Sequence, residues 1–319
     1  MLYERIPIQP DGNGTAVLTC FVKENTREKP DARRKAVIIC PGGGYEFCSS
    51  REAEPVACQF LAMDCQTFVL DYSVAPAVFP QALRELAASM VLLRERAKEW
   101  HIDPNGIYVC GFSAGGHLAA SLGTFWNREF AWRGIVDKTE VSELLELPGE
   151  SVADAAESDE WLARKIRPDG LILSYPVISS GECGHQGSFE HLTGHKKEEE
   201  TVDGNTGIPG LLRWDFLSLE KQAGSQVPPT FLWHTYTDGT VPAEGSLLYA
   251  LALKAAGVSL EMHIFPEGRH GLALANEETD KAEDDGRGTH VVPACQAWIP
   301  LVKEWLSGRS CVDFPGFSY

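Results

Sequence analysis

The chain has 319 residues, 44% of them hydrophobic and 23% charged, and carries a formal net charge of -17 at pH 7. These values describe a globular protein of one large domain, and no apolar run approaches the length of a membrane span. So strong an acidic excess disfavours nucleic acid and anionic membrane as partners. The excess is local, in blocks at 137–160, 198–203 and 277–285 that read as solvated loop surface.

Nine cysteines occur, an odd number, with no C-x-x-C pair among them. Cys20, Cys40 and Cys110 fall inside predicted strands, where a thiol behaves as a small buried hydrophobe. The segment from Met1 to Pro7 shows neither the basic region nor the apolar stretch of a signal peptide. The expectation is a reduced, cytoplasmic protein.

Taken in order, residues 14–23 read as an edge strand and 24–34 as a polar turn. Lys35 to Cys40 is a continuous apolar run, as expected of a parallel strand buried on both faces. It ends in Pro41-Gly42-Gly43-Gly44-Tyr45, whose three glycines let backbone N–H groups face a cavity with no Cβ in the way. Glu52 to Met63 reads as a helix and Gln66 to Tyr72 as the next strand. Pro80 then opens a long helix. Leu83, Leu86, Met90, Leu93, Ala97 and Trp100 follow at spacings of three and four, giving one core-facing stripe. After a turn at 101–105, Gly106 to Cys110 reads as a short buried strand.

Residues 125–167 lose the pattern and turn acidic, an excursion from the sheet with a helix expected around Glu140 to Leu147. Asp169 to Tyr175 restores a strand, Pro176 to Val227 is a second excursion, and Pro229 to Thr235 returns as a strand. Ala243 to Ala256 reads as a helix carrying Leu247, Leu248 and Leu251 and stopped by Gly257. Ser259 to Phe265 is the last strand, and Val291 to Ser307 a closing helix that Pro300 can kink. Strands separated by helices imply a mostly parallel α/β sheet with helices on both faces. The chain 1–319 reads as a single domain. Insertions at about 125–168 and 176–227 are placed to form a cap over the carboxyl ends of the strands, where ligands bind in open α/β sheets.

The chemistry centres on Gly111-Phe112-Ser113-Ala114-Gly115, a G-x-S-x-G segment between a predicted strand and the helix-compatible run Gly116 to Leu122. Such an elbow needs glycines where strand and helix backbones approach, and it holds its serine in a strained conformation above the sheet. An activated serine needs a base, and the base an orienting acid. Asp238 follows the strand ending at Thr235, and His270 follows the strand ending at Phe265. Ser113, Asp238 and His270 are thus expected on three loops at one edge of the sheet. Glu244, on the following helix, and Asp71, which precedes the serine, compete for the role of acid. His117 reads as packing and His234 as buried structure near the site. Cys183, His185, His191 and His195 look loosely metal-like, but their spacing matches no zinc signature, so no metal is expected.

The segments Pro41 to Tyr45, Tyr72 to Pro76, Gly111 to Ala119, Thr237 to Pro242 and Gly268 to Leu272 resemble, in order, those of the α/β-hydrolase fold. The resemblance is to the acetyl-xylan-esterase-like group, close to the hormone-sensitive-lipase-type esterases. It implies an oxyanion hole from the backbone N–H groups of Gly43, Gly44 and Ala114. It also implies acyl transfer through Ser113, Asp238 and His270 with no cofactor. Two positions depart from the pattern. Pro41 stands where the lipase-type glycine loop begins with histidine, and His234-Thr235 where His-Gly is usual.

The substrate implied is a small ester, with an acetylated sugar such as an acetylated xylo-oligosaccharide foremost. A formamidase or small peptidase of the same fold, or a catalytically silent binding protein, are the alternatives. Tyr45 and Phe47 stand where they can crowd a long acyl chain. Trp126, Trp132, His185 and Trp214 can stack on or hydrogen-bond a sugar, or simply pack a cap. Tyr45, His185 and Trp214 are the expected substrate contacts.

Overall fold

A computed structural model describes residues 1–135, 163–200, 210–211, 213–281 and 289–308. Eight strands form one sheet: β1 (Leu2–Pro7), β2 (Val17–Val22), β3 (Arg34–Cys40), β4 (Gln66–Asp71), β5 (Ile102–Phe112), β6 (Gly170–Ser174), β7 (Thr230–Thr235) and β8 (Leu260–Phe265). Their order is β1-β2-β4-β3-β5-β6-β7-β8. The first two pairings are antiparallel, and the rest, from β4 to β8, are parallel.

The helices are α1 (Glu54–Ala62), α2 (Gln81–Glu95), α3 (Ala114–Phe125), the short α4 (Glu129–Trp132), α5 (Gln186–Thr193), α6 (Glu244–Ala255) and α7 (Trp298–Leu306). The period-two alternation of a strand splits the core into two layers. Ala36, Ile38 and Cys40 of β3 join Leu86 and Met90 of α2 and Leu118 of α3 on one face. Val37 and Ile39 join Val56 and Phe60 of α1 and Trp298 and Val302 of α7 on the other. Strands buried on both faces explain why β3, β6 and β7 read as unbroken apolar runs rather than alternating ones.

Four expectations change. Residues 14–23 are not an edge strand: β2 pairs with β4 on one side and with β1 on the other. The edge is β1, whose half-buried and exposed residues alternate around Glu4 and Arg5, so it lacks the apolar run that marks its neighbours. Helix α2 ends at Glu95, yet Ala97 and Trp100 remain buried in the turns after it, and the Trp100 ring stacks on Phe68 at 5.3 Å. On α6 the buried face is Ser246, Tyr249 and Leu253, whereas Leu247, Leu248 and Leu251 are exposed. The closing helix starts at Trp298, so Pro300 lies in its first turn, where the missing N–H has no intrahelical acceptor to lose, and the helix continues through it. The helix expected around 140–147 lies outside the described residues.

Among the described residues no helix is long and apolar enough to cross a membrane. The eight described cysteines are all unpaired. What this architecture does for function is positional. Because β3, β5, β7 and β8 run parallel, the loops after all four emerge at the same edge of the sheet. Strand order reverses between β3 and β5, the place where an open α/β sheet leaves a crevice.

Candidate active site

The elbow is built as the glycines require. Ser113 sits between β5 and α3 at φ +52° and ψ -117°, a left-handed conformation that costs a non-glycine residue about 1–3 kcal/mol. A Cβ on Gly111 would lie 2.2 Å from the Gly115 carbonyl oxygen, and one on Gly115 would lie 2.1 Å from that of Cys40. The Ser113 N–H donates to the Ser174 carbonyl at 3.0 Å, and the Val177 N–H donates to the Ser113 carbonyl at 3.0 Å. The end of β6 therefore clamps the elbow from both sides, which is how the sheet sustains the strain.

Ser113, His270 and Asp238 form one hydrogen-bonded chain. His270 Nε2 is 2.7 Å from Ser113 Oγ, and His270 Nδ1 is 2.6 Å from Asp238 Oδ2. The second oxygen of Asp238 accepts the backbone N–H groups of Thr240 and Val241, each at 2.9 Å. The Asp238 side chain is fully buried. Burial opposes its ionisation, but hydrogen bonds from His234 and His270, the His270 charge and the Val241 amide outweigh it. They hold the carboxyl well below the ordinary carboxylate range. The competing acids stand elsewhere. Asp71 ends β4 beside Arg5 and Glu54, and Glu244 opens α6.

His234 is buried as expected, and it also reaches the acid. Its Nε2 lies 2.9 Å from the Val241 carbonyl and 3.3 Å from Asp238 Oδ2, and its Nδ1 lies 2.8 Å from Ser246 Oγ. A carbonyl only accepts, so Nε2 carries the proton and leans on the same oxygen that meets His270. His117 is packing of a specific kind. Its Nε2–H donates to the Leu217 carbonyl at 2.8 Å, and the Tyr45 hydroxyl donates to its Nδ1 at 2.9 Å. Burial pushes the His117 imidazole down to about 4, so it is neutral.

The glycine loop is held at both ends. Gly43 lies at φ +134° and Gly44 at φ +65°, and a Cβ on Gly43 would meet the Phe47 carbonyl oxygen at 2.0 Å. The loop's own carbonyls are occupied by the N–H groups of Glu46, Phe47 and Ser49. The N–H groups of Gly43, Gly44 and Ala114, by contrast, have no acceptor among the described residues. Gly43 and Gly44 line the same cleft as Ser113 and His270.

Where the lipase-type pattern has histidine at the position of Pro41, three other groups hold the loop. The Tyr72 hydroxyl donates to the Pro41 carbonyl at 2.7 Å, Glu52 Oε2 accepts the Gly42 N–H at 2.7 Å, and His191 Nδ1 donates to the Gly44 carbonyl at 2.9 Å. Glu52, which is 3% exposed, also accepts the Tyr175 hydroxyl. Nothing in the sequence around Glu52 or Tyr175 marked them. His191 was visible only as one of a loosely metal-like set. Within that set the Nδ1 atoms of His185, His191 and His195 bond to Ser188, the Gly44 carbonyl and the Thr193 carbonyl. Among the described residues no three His, Cys, Asp or Glu side chains gather as metal ligands.

The cleft above Ser113 has a volume of about 480 Å³, and its wall includes Phe47, Arg51, His185, His191, Thr240 and Lys281. Of the three expected substrate contacts, His185 lines it. Tyr45 does not: it is 3% exposed, with its hydroxyl spent on His117. Trp214 is 1% exposed, stacked on Phe189 at 5.4 Å, with its Nε1–H on Thr193 Oγ1. Trp126 and Trp132 are buried as well. These rings join the hydrophobic core because their area is worth more covered by apolar neighbours than facing water.

A mostly parallel sheet with helices on both faces, a strained serine at a strand–helix elbow and a Ser–His–Asp chain define a serine hydrolase. Known proteins agree. The family model described as BD-FAE matches residues 25–167, and that of the prolyl oligopeptidase family matches 203–285. The structure is similar to that of an acetyl ester-xyloside bifunctional hydrolase from Caldicellulosiruptor lactoaceticus. The TM-score is 0.70 at 33% identity, over 96% of each chain. A carboxylesterase from Lactobacillus plantarum aligns with TM-score 0.71 at 26% identity, over 97% of this chain and 98% of that one. The chain belongs to the α/β-hydrolase esterases, in their acetyl-xylan-esterase-like group.

Among curated relatives it is 31% identical to endo-1,4-beta-xylanase B of Butyrivibrio fibrisolvens over 252 residues, 78% of this chain and 34% of that protein. It is 25% identical to an acetylxylan esterase of Xylanibacter ruminicola over 82% of this chain and 45% of that protein. The chain thus spans less than half the length of these two relatives.

Proposed function

We propose that this protein is a serine carboxylesterase that removes short acyl groups, acetyl foremost, from carbohydrates such as acetylated xylo-oligosaccharides. The observation that carries the proposal is the Ser113–His270–Asp238 chain, with contacts of 2.7 and 2.6 Å, beside the unbonded N–H groups of Gly43, Gly44 and Ala114. The acetylated-sugar substrate is supported by the acetyl ester-xyloside hydrolase and the acetylxylan esterase to which the chain is similar.

In this mechanism Ser113 Oγ forms a bond to the ester carbonyl carbon while its proton passes to His270 Nε2. The carbonyl π electrons move onto oxygen, where the N–H groups of Gly43, Gly44 and Ala114 receive the charge. Asp238 holds the imidazole in the tautomer that presents Nε2 and steadies the imidazolium. Collapse of the tetrahedral species breaks the bond to the alcohol, which leaves with the proton from His270. Water then attacks the acyl-enzyme by the same sequence and releases the acid. Every proton and electron pair is handled by groups of the chain and the two reactants. The described residues 176–200 of the second insertion form part of a cap on the single domain, with α5 lying against the glycine loop through His191.

A second proposal, hydrolysis of small amides, draws on the prolyl oligopeptidase match over 203–285, which spans the acid and histidine loops. One experiment separates these. Acetate release from an acetylated xylo-oligosaccharide is measured beside cleavage of 4-nitrophenyl acetate, N-formylkynurenine and an aminoacyl amide, for wild type and Ser113→Ala. The esters are expected to be the faster substrates, and Ser113→Ala to lower kcat by roughly 10⁴–10⁶ with the fold intact. A folded Ser113→Ala protein keeping a tenth of the rate refutes the mechanism. Faster turnover of either nitrogen substrate moves the protein to the second class.

A further inference from the structure

His185 and His191 stand outside the catalytic chain, yet both line its cleft, and the protein fixes them in opposite tautomers. His185 is the N-cap of α5, and its Nδ1 accepts the Ser188 backbone N–H at 3.2 Å with Ser188 Oγ 2.8 Å away. A backbone N–H can only donate, so Nδ1 is bare and the ring proton sits on Nε2. His191, six residues further along the same helix, has its Nδ1 2.9 Å from the Gly44 carbonyl oxygen. A carbonyl can only accept, so here Nδ1 carries a proton, and in the neutral ring Nε2 is the acceptor. Both side chains are half-buried, and neither Nε2 has a hydrogen-bond partner among the described residues. Burial first, and then the neighbouring His270 and His191, push the His185 imidazolium below its ordinary pKa, so the ring is neutral at pH 7.

The cleft that holds Ser113 is therefore lined by one ring with a fixed N–H donor at Nε2 and by a second whose Nε2, in the neutral ring, is an acceptor. We propose that His185 and His191 are a donor–acceptor pair that binds two hydroxyls of the leaving alcohol, a subsite for a polyhydroxylated alcohol of the sugar class. The assignment rests on the esterase function proposed above and deepens it. An acetyl group has no hydroxyl, so hydroxyls bound by these rings belong to the alcohol side. A hydroxyl both donates and accepts, and two on neighbouring carbons satisfy a donor and an acceptor at once. A plain alkyl alcohol satisfies neither and leaves both nitrogens stripped of water without a partner, and sites built to bind hydroxyls reject analogues for that reason. Through the Gly44 carbonyl the acceptor half of the pair is also attached to the loop that faces the ester carbonyl. The sugar contact and the oxyanion donors thus share one rigid segment.

The test uses asparagine, whose amide can replace the Nδ1 side of histidine but does not reach the Nε2 side. In His185→Asn the amide oxygen keeps the N-cap bond to the Ser188 N–H. In His191→Asn the amide nitrogen keeps the bond to the Gly44 carbonyl. The quantity read is the ratio of kcat/KM for acetylated xylobiose to that for propyl acetate, with KM and kcat resolved and thermal melting recorded for each variant. The ratio is expected to fall about tenfold in each single variant, mainly through KM for the sugar ester, as loss of one hydrogen bond to substrate implies. An unchanged ratio in both variants overturns the subsite while leaving the esterase function standing. An equal loss on both esters also overturns it, assigning the histidines to support of α5 and the glycine loop. A wild-type protein that hydrolyses neither ester sinks the esterase function first and the subsite with it.

Discussion

Tyr175 and Glu52, 123 positions apart in the chain, meet beneath the cleft in a 2.7 Å hydrogen bond. Glu52 holds the Gly42 N–H with its other oxygen, and Tyr175 Oη accepts the N–H of Ala273 at 2.8 Å. The Tyr175 ring stands edge-on to His270 with centroids 5.0 Å apart. The pair therefore connects the glycine loop to the histidine loop below the serine.

Removing the bridge should cost both stability and rate. Tyr175→Phe leaves Glu52 Oε1 and the Ala273 N–H buried without partners, a loss of about 1–3 kcal/mol. It also frees the two loops to drift apart, and kcat on 4-nitrophenyl acetate is expected to fall about tenfold, since small misplacements of reacting groups are expensive. Urea unfolding and steady-state kinetics on the same preparation check both. A variant less stable than wild type but with unchanged kcat would mean each loop is held without the bridge.

Asp238 is proposed as the acid from its contact with His270, and substitution distinguishes it from Glu244 on α6. Asp238→Asn should keep the shape of the loop but favour the wrong histidine tautomer, lowering kcat by on the order of 10⁴. Glu244→Gln is expected to stay within about twofold. Large loss in the second variant with a mild effect in the first would assign the acid to Glu244.

Stability should depend on pH through His117. Its folded pKa is about 4 against an ordinary 6.5, so between those values the unfolded chain binds a proton that the folded chain excludes. Stability therefore rises with pH across that window, and falling from pH 6.5 to 4 removes about 3 kcal/mol. His290, likewise pushed down to about 4 by burial, Arg51 and Arg269, acts in the same direction. His117→Leu removes one titration and should flatten the slope, as read from urea unfolding free energies at pH 5 and pH 7. A variant with the wild-type difference between the two pH values would rule His117 out as the source.

Acyl chain length should matter steeply. Phe47 is 56% exposed and lines the cleft beside Gly43 and Gly44, and we expect it to narrow the space for the acyl group. In a tight pocket each methylene changes discrimination by about 1–3 kcal/mol. We expect kcat/KM to fall from 4-nitrophenyl acetate to butyrate, with octanoate nearly inert, and Phe47→Ala to relax the series. A wild-type preference for octanoate would contradict a small acyl pocket.

The amino-acid sequence by itself determined the elbow, the mostly parallel sheet and the loops carrying Ser113, Asp238 and His270. Each depends on residue types at fixed local spacing. The elbow requires glycine at 111 and 115 because strand and helix backbones touch there, and a two-face-buried strand must be apolar along its length. The tertiary structure alone decided which polar and aromatic groups face the cleft. Tyr45 is spent on His117, 72 positions away; Glu52 on Tyr175, 123 away; and His191 on Gly44, 147 away. Trp214 turns inward onto Phe189, and β1 takes the edge from β2. A side chain's exposure is set by whichever distant segment packs against it, and no local spacing encodes that partner.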